Sequence, residues 1–451
     1  MSSKQISFRD TLAIGLMLFS LFFGAGNLIF PPALGQDAGT NLWPAITGFL
    51  LTGVGLPLLG VLAIGFSGSN DSQVLAKKVH PLFAAILTIS TYLTIGPLFA
   101  IPRTGAVSYE VGIRPFLSGD VATGGLGLFI YTALFFVATC WLALNPSKIV
   151  DRVGKILTPA LLIVLFLLVI KAFTNPLGML QAPTGEYANS ALLKGFREGY
   201  LTMDTLASMV FGIIVINSIK DKGVTDPKRI TKVCTVAGLI AVSCLALIYV
   251  SLAYLGATGV AAIGQASNGG VILSKVANVY YGSLGNVVLG LSIVFACLTT
   301  SIGLVSSCAA FFSQYFPRLS YKKLVFIFSF FSFVVSNVGL TQLISFSVPV
   351  LVTIYPMVIV LILLSFLEPL FGGRSAVYRG SMFFTVILSV VDGLNAAGIS
   401  ISAVNSLLSK YLPFFDASMG WVVPAIVGAV LGYIISLVTT GSSPAEEPES
   451  V

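Results

Sequence analysis

Apolar residues run along this chain in long blocks separated by short polar stretches, without the alternation of a half-buried strand. Blocks long enough to cross ~30 Å of hydrocarbon as helices lie near 9–34, 42–66, 81–109, 122–143, 154–174, 195–219, 232–256, 285–313, 323–340, 342–367, 377–399 and 421–440. The pattern predicts an all-α integral membrane protein of about twelve transmembrane helices. Two blocks carry polar and helix-breaking residues near their middles. In the first, FFGAGNLIFPP at 22–32 gathers Gly24, Gly26 and Asn27 ahead of Pro31-Pro32. In the sixth, TMDTLAS at 202–208 places Asp204, Thr205 and Ser208 in an otherwise apolar run. The two lie five blocks apart, the spacing of an inverted repeat whose first helices both unwind near the bilayer midplane.

Composition supports the membrane reading. Of 451 residues, 56% are hydrophobic and 9% charged, against about 25% charged in soluble domains, and the mean hydropathy is +0.98. The net charge of +7 does not call for nucleic acid, because the basic residues alternate between sides of the blocks. Seventeen of the 24 lysines and arginines fall in the segments 4–9, 77–78, 148–155, 220–232, 318–323 and 374–379. With those segments inside, the positive-inside rule puts both termini in the cytoplasm.

The first block is too long for a secretory h-region and lacks a cleavage site, so it reads as a retained helix. The five cysteines fall inside blocks without C-x-x-C spacing and read as small packing residues. The single histidine, His80, stands beside Pro81 at a block entrance and reads as a boundary residue. One histidine, with no H-E-x-x-H or G-x-S-x-G, argues against an enzyme; no repeated filter-like loop argues for a channel. The tail at 441–451 is acidic and polar, with the composition of a disordered segment. Outer segments 175–194, 257–284 and 400–420 are expected to include short helices over the outer entrance.

A broken helix releases N–H and C=O groups that must find partners. At Gly24-Ala25-Gly26 a carboxylate would meet N–H groups at the start of a half-helix. In the sixth block, freed carbonyls would accept an ammonium. Asp204, costly inside a span and so a functional candidate, has three open roles: cation ligand, proton carrier, or ion-pair partner of Arg103 in the third block. In the eighth block, Ala296, Thr299 and Thr300 share one helix face and present oxygens suited to a hard cation. The competing reading is that both threonines bond back to their own helix.

FSLFFGAGNLIFPPALG at 19–35, TIGPLFAIPRTGAVSYE at 94–110 and the cationic loop after NSIKDKG at 217–223 together resemble the bacterial branched-chain amino acid:cation symporters, the LIVCS or BrnQ family. The resemblance runs over nearly the whole chain. It implies a LeuT-like five-plus-five inverted repeat, at about 8–174 and 195–367, followed by two further helices within 377–440 in one transport domain at 1–440. It implies a carrier in the bacterial inner membrane that takes up leucine, isoleucine and valine with sodium, or else with protons through Asp204, and needs no cofactor. It puts the substrate carboxylate at Gly24, Ala25 and Gly26, beside Asn27, and the ammonium at carbonyls around Asp204, Thr205 and Ala207, with Ser208 adjoining. Sodium would lie among Ser20, Phe23, Ala296, Thr299 and Thr300. A second sodium is implied at Asn27 and Thr205.

Overall fold

The computed structural model describes residues 6–67, 73–118, 125–144, 148–224 and 226–439, with 148–160 as backbone alone; the acidic tail lies outside them. Among the described residues every regular element is helical. Helices α1 (Phe8–Phe22) and α2 (Ala25–Ala38) share the first block, and α3 (Leu42–Leu50) and α4 (Leu56–Ser67) the second. After a short α5 (Val74–Lys77), the third block holds α6 (Pro81–Leu93) and α7 (Ala100–Gly112). The fourth and fifth are α8 (Gly125–Leu144) and α9 (Lys148–Thr174); the sixth is split into α10 (Tyr187–Glu198) and α11 (Asp204–Asp221). Then come α12 (Pro227–Ile263), α13 (Gly269–Tyr315), α14 (Tyr321–Ser336), α15 (Leu340–Phe371), α16 (Ser375–Ala396), a short α17 (Ser402–Tyr411) and α18 (Val422–Thr439).

Among the described residues, seven helical stretches are long and apolar enough to cross a membrane unaided, and the α10–α11 pair, bent by 46°, adds an eighth. The twelve blocks are nevertheless all helical. Ala25–Phe66 serves two of them by turning at Gly39, where φ is +49°, and α9, α14 and α18 supply the others. The 47 residues of α13 exceed one bilayer crossing, and Gly282, at φ +62°, kinks that helix ahead of its membrane part.

The segments expected to carry short helices do so, as α10, the first part of α13, and α17. Two of these segments, 175–194 and 257–284, clasp the end of α2. Thr40 N–H donates to Gln181 O at 2.9 Å, and Thr184 N–H to Asp37 O at 2.8 Å. Gln36 exchanges two bonds with the Ala266 backbone at 3.0 and 2.8 Å. His80 caps α6 through Nδ1, which accepts from Leu82 N–H at 3.1 Å, and it is exposed, as a boundary residue should be.

The interruption in the first block is not at the prolines. Pro31 and Pro32 sit inside α2, where they leave the carbonyls of Asn27 and Leu28 without their helical donors. Their turn packs closely on α12: a β-carbon on Gly256 would stand 2.0 Å from Pro32 O, and one on Gly35 1.8 Å from Ala253 O. Small residues at such crossings are what allow membrane helices to approach. Gly256→Ala should therefore lower the unfolding temperature of detergent-solubilised protein, with an overpacking cost of about 1–3 kcal/mol. Gly303→Ala, which meets nothing within 4 Å, should not; equal unfolding temperatures for the two variants would refute the crossing.

Candidate functional site

Among the described residues, interruptions in the first, third and sixth blocks line one cavity. The α1 ladder ends where Phe23 N–H donates to Phe19 O at 2.8 Å. Gly24 N–H turns instead to Asn27 Oδ1 at 3.1 Å. The carbonyls from Ser20 to Phe23 thus lose their helical donors, while the Ala25 and Gly26 N–H groups open the first turn of α2. The sixth-block break lies at Met203, the sole non-glycine residue with positive φ (66°) among the described membrane helices. The third break was not anticipated from the sequence: around Gly96 (φ −97°, ψ −128°) and Pro97 the backbone leaves helical geometry between α6 and α7. Gly96-Pro97 was its signal. Prolines are tolerated in membrane helices, and alone they do not mark a site.

Between the breaks lies a cavity of ≈ 50 Å³ reached by Gly24, Gly26 and Asn27 from the first block, Arg103 from the third, Asp204 from the sixth and Thr300 from the eighth. Its apolar wall includes Phe22, Ile95, Phe211 and Leu304, with the Phe22 and Phe211 rings edge to face at 5.6 Å. Polar and apolar residues both line the cavity, the two kinds of contact an aliphatic amino acid requires.

Asp204, 3% exposed, is held by its neighbours. Asn27 Nδ2 donates to its Oδ2 at 2.7 Å, and the Tyr249 hydroxyl donates to the same oxygen at 2.8 Å. Asn27 Nδ2 also lies against the Tyr249 hydroxyl. The Asp204 N–H donates to Thr202 Oγ1 at 3.3 Å. Asn27 is therefore spent at both ends of its amide, capping Gly24 and binding Asp204, and it joins the first break to the sixth. Tyr249 was missed by sequence reading, since nothing local in α12 sets it apart. Its ring is fully buried, edge to face with Phe49 at 5.3 Å.

The Asp204–Arg103 ion pair among the roles left open for Asp204 does not form. Arg103 Nη1 donates instead to Leu201 O at 2.7 Å, in the sixth break, and among the described residues no ion pair reaches it. The ammonium ligands also need correction. Asp204, Thr205 and Ala207 begin α11, so the unwound carbonyls lie upstream, at the end of the segment Gly199–Thr202. Thr205 and Ser208 are buried away from the cavity: Thr205 Oγ1 donates to Thr52 O at 3.0 Å and Ser208 Oγ to Thr205 O at 2.6 Å. Ala207 does line the cavity.

Of the expected cation ligands, Thr300 faces the first break, its methyl 3.4 Å from where a Gly24 β-carbon would be. Thr299 and Thr300 hydroxyls both donate to Ala296 O at 2.9 Å. This is the back-bonding geometry; it leaves each hydroxyl oxygen a lone pair for a cation. Ser20 has an exposed side chain and Phe23 a buried one. Both would contribute only the carbonyls released at the break.

Interrupted helices converging on a small cavity within a helical bundle are the arrangement of the LeuT-like transporter fold. Two solved structures share that fold at low identity. One is MhsT in complex with L-phenylalanine, with TM-score 0.52 and 17% identity, covering 97% of this chain and 99% of that one. The other is Mhp1, a nucleobase-cation-symport-1 family transporter, with TM-score 0.60 and 12% identity over 95% and 92%. The family model for branched-chain amino acid transport proteins matches residues 7–439. The chain belongs to that family of membrane transporters and is not an enzyme. It is 51% identical to the branched-chain amino acid permease BrnQ of Bacillus subtilis, over 98% of this chain and 100% of that protein. It is 54% identical to BraB of the same organism, over 95% and 96%, and 42% to BrnQ of Escherichia coli, over 96% and 97%.

The link among Asn27, Asp204 and Tyr249 predicts that Tyr249→Phe costs about 1.5–3 kcal/mol, the range for a hydrogen bond to a charged group. In an Asp204→Asn background the same change should cost distinctly less. Thermal or denaturant unfolding of the four proteins of this cycle checks it, and purely additive effects would show that the hydroxyl is not bound to the carboxylate.

Proposed function

We propose that this chain imports leucine, isoleucine and valine by symport with sodium, through alternating access in the bacterial cytoplasmic membrane. The observation that carries the reading is the start of α2, where the N–H groups of Ala25 and Gly26 open beside a cavity also lined by apolar residues. A carboxylate is the ligand such a half-helix end favours. The unwound carbonyl of Thr202, on the cavity just before Met203, supplies an acceptor for the ammonium, and the branched side chain fills the space against Phe22, Ile95 and Phe211. The names of the relatives agree with that substrate class.

Selectivity follows from desolvation. A polar side chain would lose water against the apolar wall without gaining a partner, whereas one methylene changes binding by only about 1–3 kcal/mol. The three branched substrates should therefore compete closely. A cavity of ≈ 50 Å³ has room for about one or two waters, so an amino acid enters only when the surrounding helices part, as rocking of one repeat against the other provides. In this reading the repeats are 8–174 and 195–367, with the helices of 377–440 outside them.

Sodium sits between the carbonyls of Ser20 and Phe23 and the oxygens of Ala296, Thr299 and Thr300, bracing the first break. The threonine hydroxyls keep their bonds to Ala296 O and coordinate the ion through their remaining lone pairs. The orientation with both termini inside places the ties Asp10–Lys222 (2.6 Å) and Lys78–Glu368 (2.5 Å) at the cytoplasmic face.

One observation favours a second reading, coupling to protons. Asp204 is a buried carboxylate held by two neutral donors and facing the cavity, a position from which it can exchange a proton during the cycle.

Labelled leucine uptake into proteoliposomes under separate sodium and proton gradients tests both readings. Sodium coupling predicts accumulation driven by sodium, blocked by excess isoleucine or valine, and reduced at least ~10-fold in Thr299→Ala/Thr300→Ala, as for loss of one to two ligands worth a charge-assisted bond each. Accumulation under a proton gradient alone, abolished in Asp204→Asn and intact in the threonine variant, would contradict sodium coupling and support the second reading.

A further inference from the structure

The geometry points to Arg103 as the counter-charge of the substrate carboxylate. This assignment rests on the amino-acid reading above and adds a specificity-determining residue to it.

Arg103 is 4% exposed and carries its charge into the middle of the bundle. Its guanidinium lies over the face of Phe30, with Cζ 5.0 Å from the ring centroid. It also abuts the first turn of α2: a β-carbon on Gly26 would stand 3.3 Å from Nη2 and 3.4 Å from Cζ. One donor, Nη1, is used on Leu201 O. Nε is buried without a partner, and no carboxylate pairs with the group among the described residues. The nearest acid on the same cavity is Asp204, whose Oδ2 is taken by Asn27 and Tyr249.

A buried cation with no carboxylate in bonding reach is a costly arrangement, and the charge of Asp204 on the same cavity offsets only part of that cost. Phe30 offsets part of that cost through its ring face, and the Leu201 carbonyl another part. Neither neutralises the charge. A ligand carboxylate seated at the Ala25 and Gly26 N–H groups would lie beside the guanidinium and do so. The position of Arg103 is itself set by the third break, since it lies in the first turn of α7 with its N–H on Phe99 O at 3.0 Å. The third interruption thus delivers a charge that lies against the first turn of α2 with Nη2 while its Nη1 occupies Leu201 O of the sixth break. Recognition would then demand both a carboxylate and an ammonium, and would reject amino-acid amides and simple amines whose side chains fit equally well.

The test is equilibrium binding of labelled leucine to the purified full chain in sodium, competed by leucine and by leucinamide, which keeps the side chain and ammonium and lacks the carboxylate. In the unaltered protein leucine should compete far better than leucinamide. In Arg103→Gln the affinity for leucine should fall about 10- to 150-fold, the range of a hydrogen bond to a charged group. Affinity for leucinamide should change little, so that the preference collapses. If Arg103→Gln does not yield folded protein, Arg103→Lys, which retains a charge but not the planar fork, carries the same comparison with a partial collapse expected. A folded variant that binds leucine more weakly while keeping the full preference over leucinamide would overturn the assignment and leave Arg103 a scaffold residue. Failure of the unaltered protein to bind leucine at all would overturn the amino-acid reading itself, and this assignment with it.

Discussion

In hydrocarbon, an interrupted helix leaves N–H and C=O groups that no water can serve, and each one left alone costs several kcal/mol. Among its described residues, this chain interrupts three helices that line one cavity. Much of its internal chemistry answers that demand: Asn27 Oδ1 takes the Gly24 N–H, Thr202 Oγ1 takes the Asp204 N–H, and Arg103 serves Leu201 O. What these side chains do not satisfy faces the cavity. The site is the remainder of that accounting, and its polarity follows from which ends of the half-helices point inward.

The side chains that satisfy one break also belong to another. Asn27 leaves the first break to bind Asp204 at the start of the sixth, and Tyr249 from α12 closes the group. Arg103, placed by the third break, bonds the sixth while lying against the first. A movement that opens any one interruption therefore alters the hydrogen bonds of the others. In a transporter this is a physical route by which occupancy of the cavity is felt across both repeats.

The twelve blocks and two of the three breaks were legible in the sequence because each has a local cause: length of apolar run, glycines beside asparagine, an acid amid leucine and valine. The place of the first break was less legible. Gly24 and the prolines both interrupt a ladder, and only the structure shows that the prolines stay helical, at the close crossing of Gly35 and Gly256. The third break was visible as Gly96-Pro97 but indistinguishable from tolerated membrane prolines. Tyr249 was invisible, since its meaning is a contact 222 residues from Asn27. Asp204 and Arg103 stood out as charges, but the sequence alone did not show that they serve different partners; that depends on how α7 is aimed after its break.

A structure determined by electron cryo-microscopy with leucine and sodium bound tests the central claim most directly, namely that the three interruptions together form the substrate site. The account predicts density for the amino acid between the first turn of α2, Arg103 and the unwound residues before Met203, with its side chain against Phe22 and Phe211. Leucine density elsewhere, or a first helix that runs unbroken through Gly24, would contradict it.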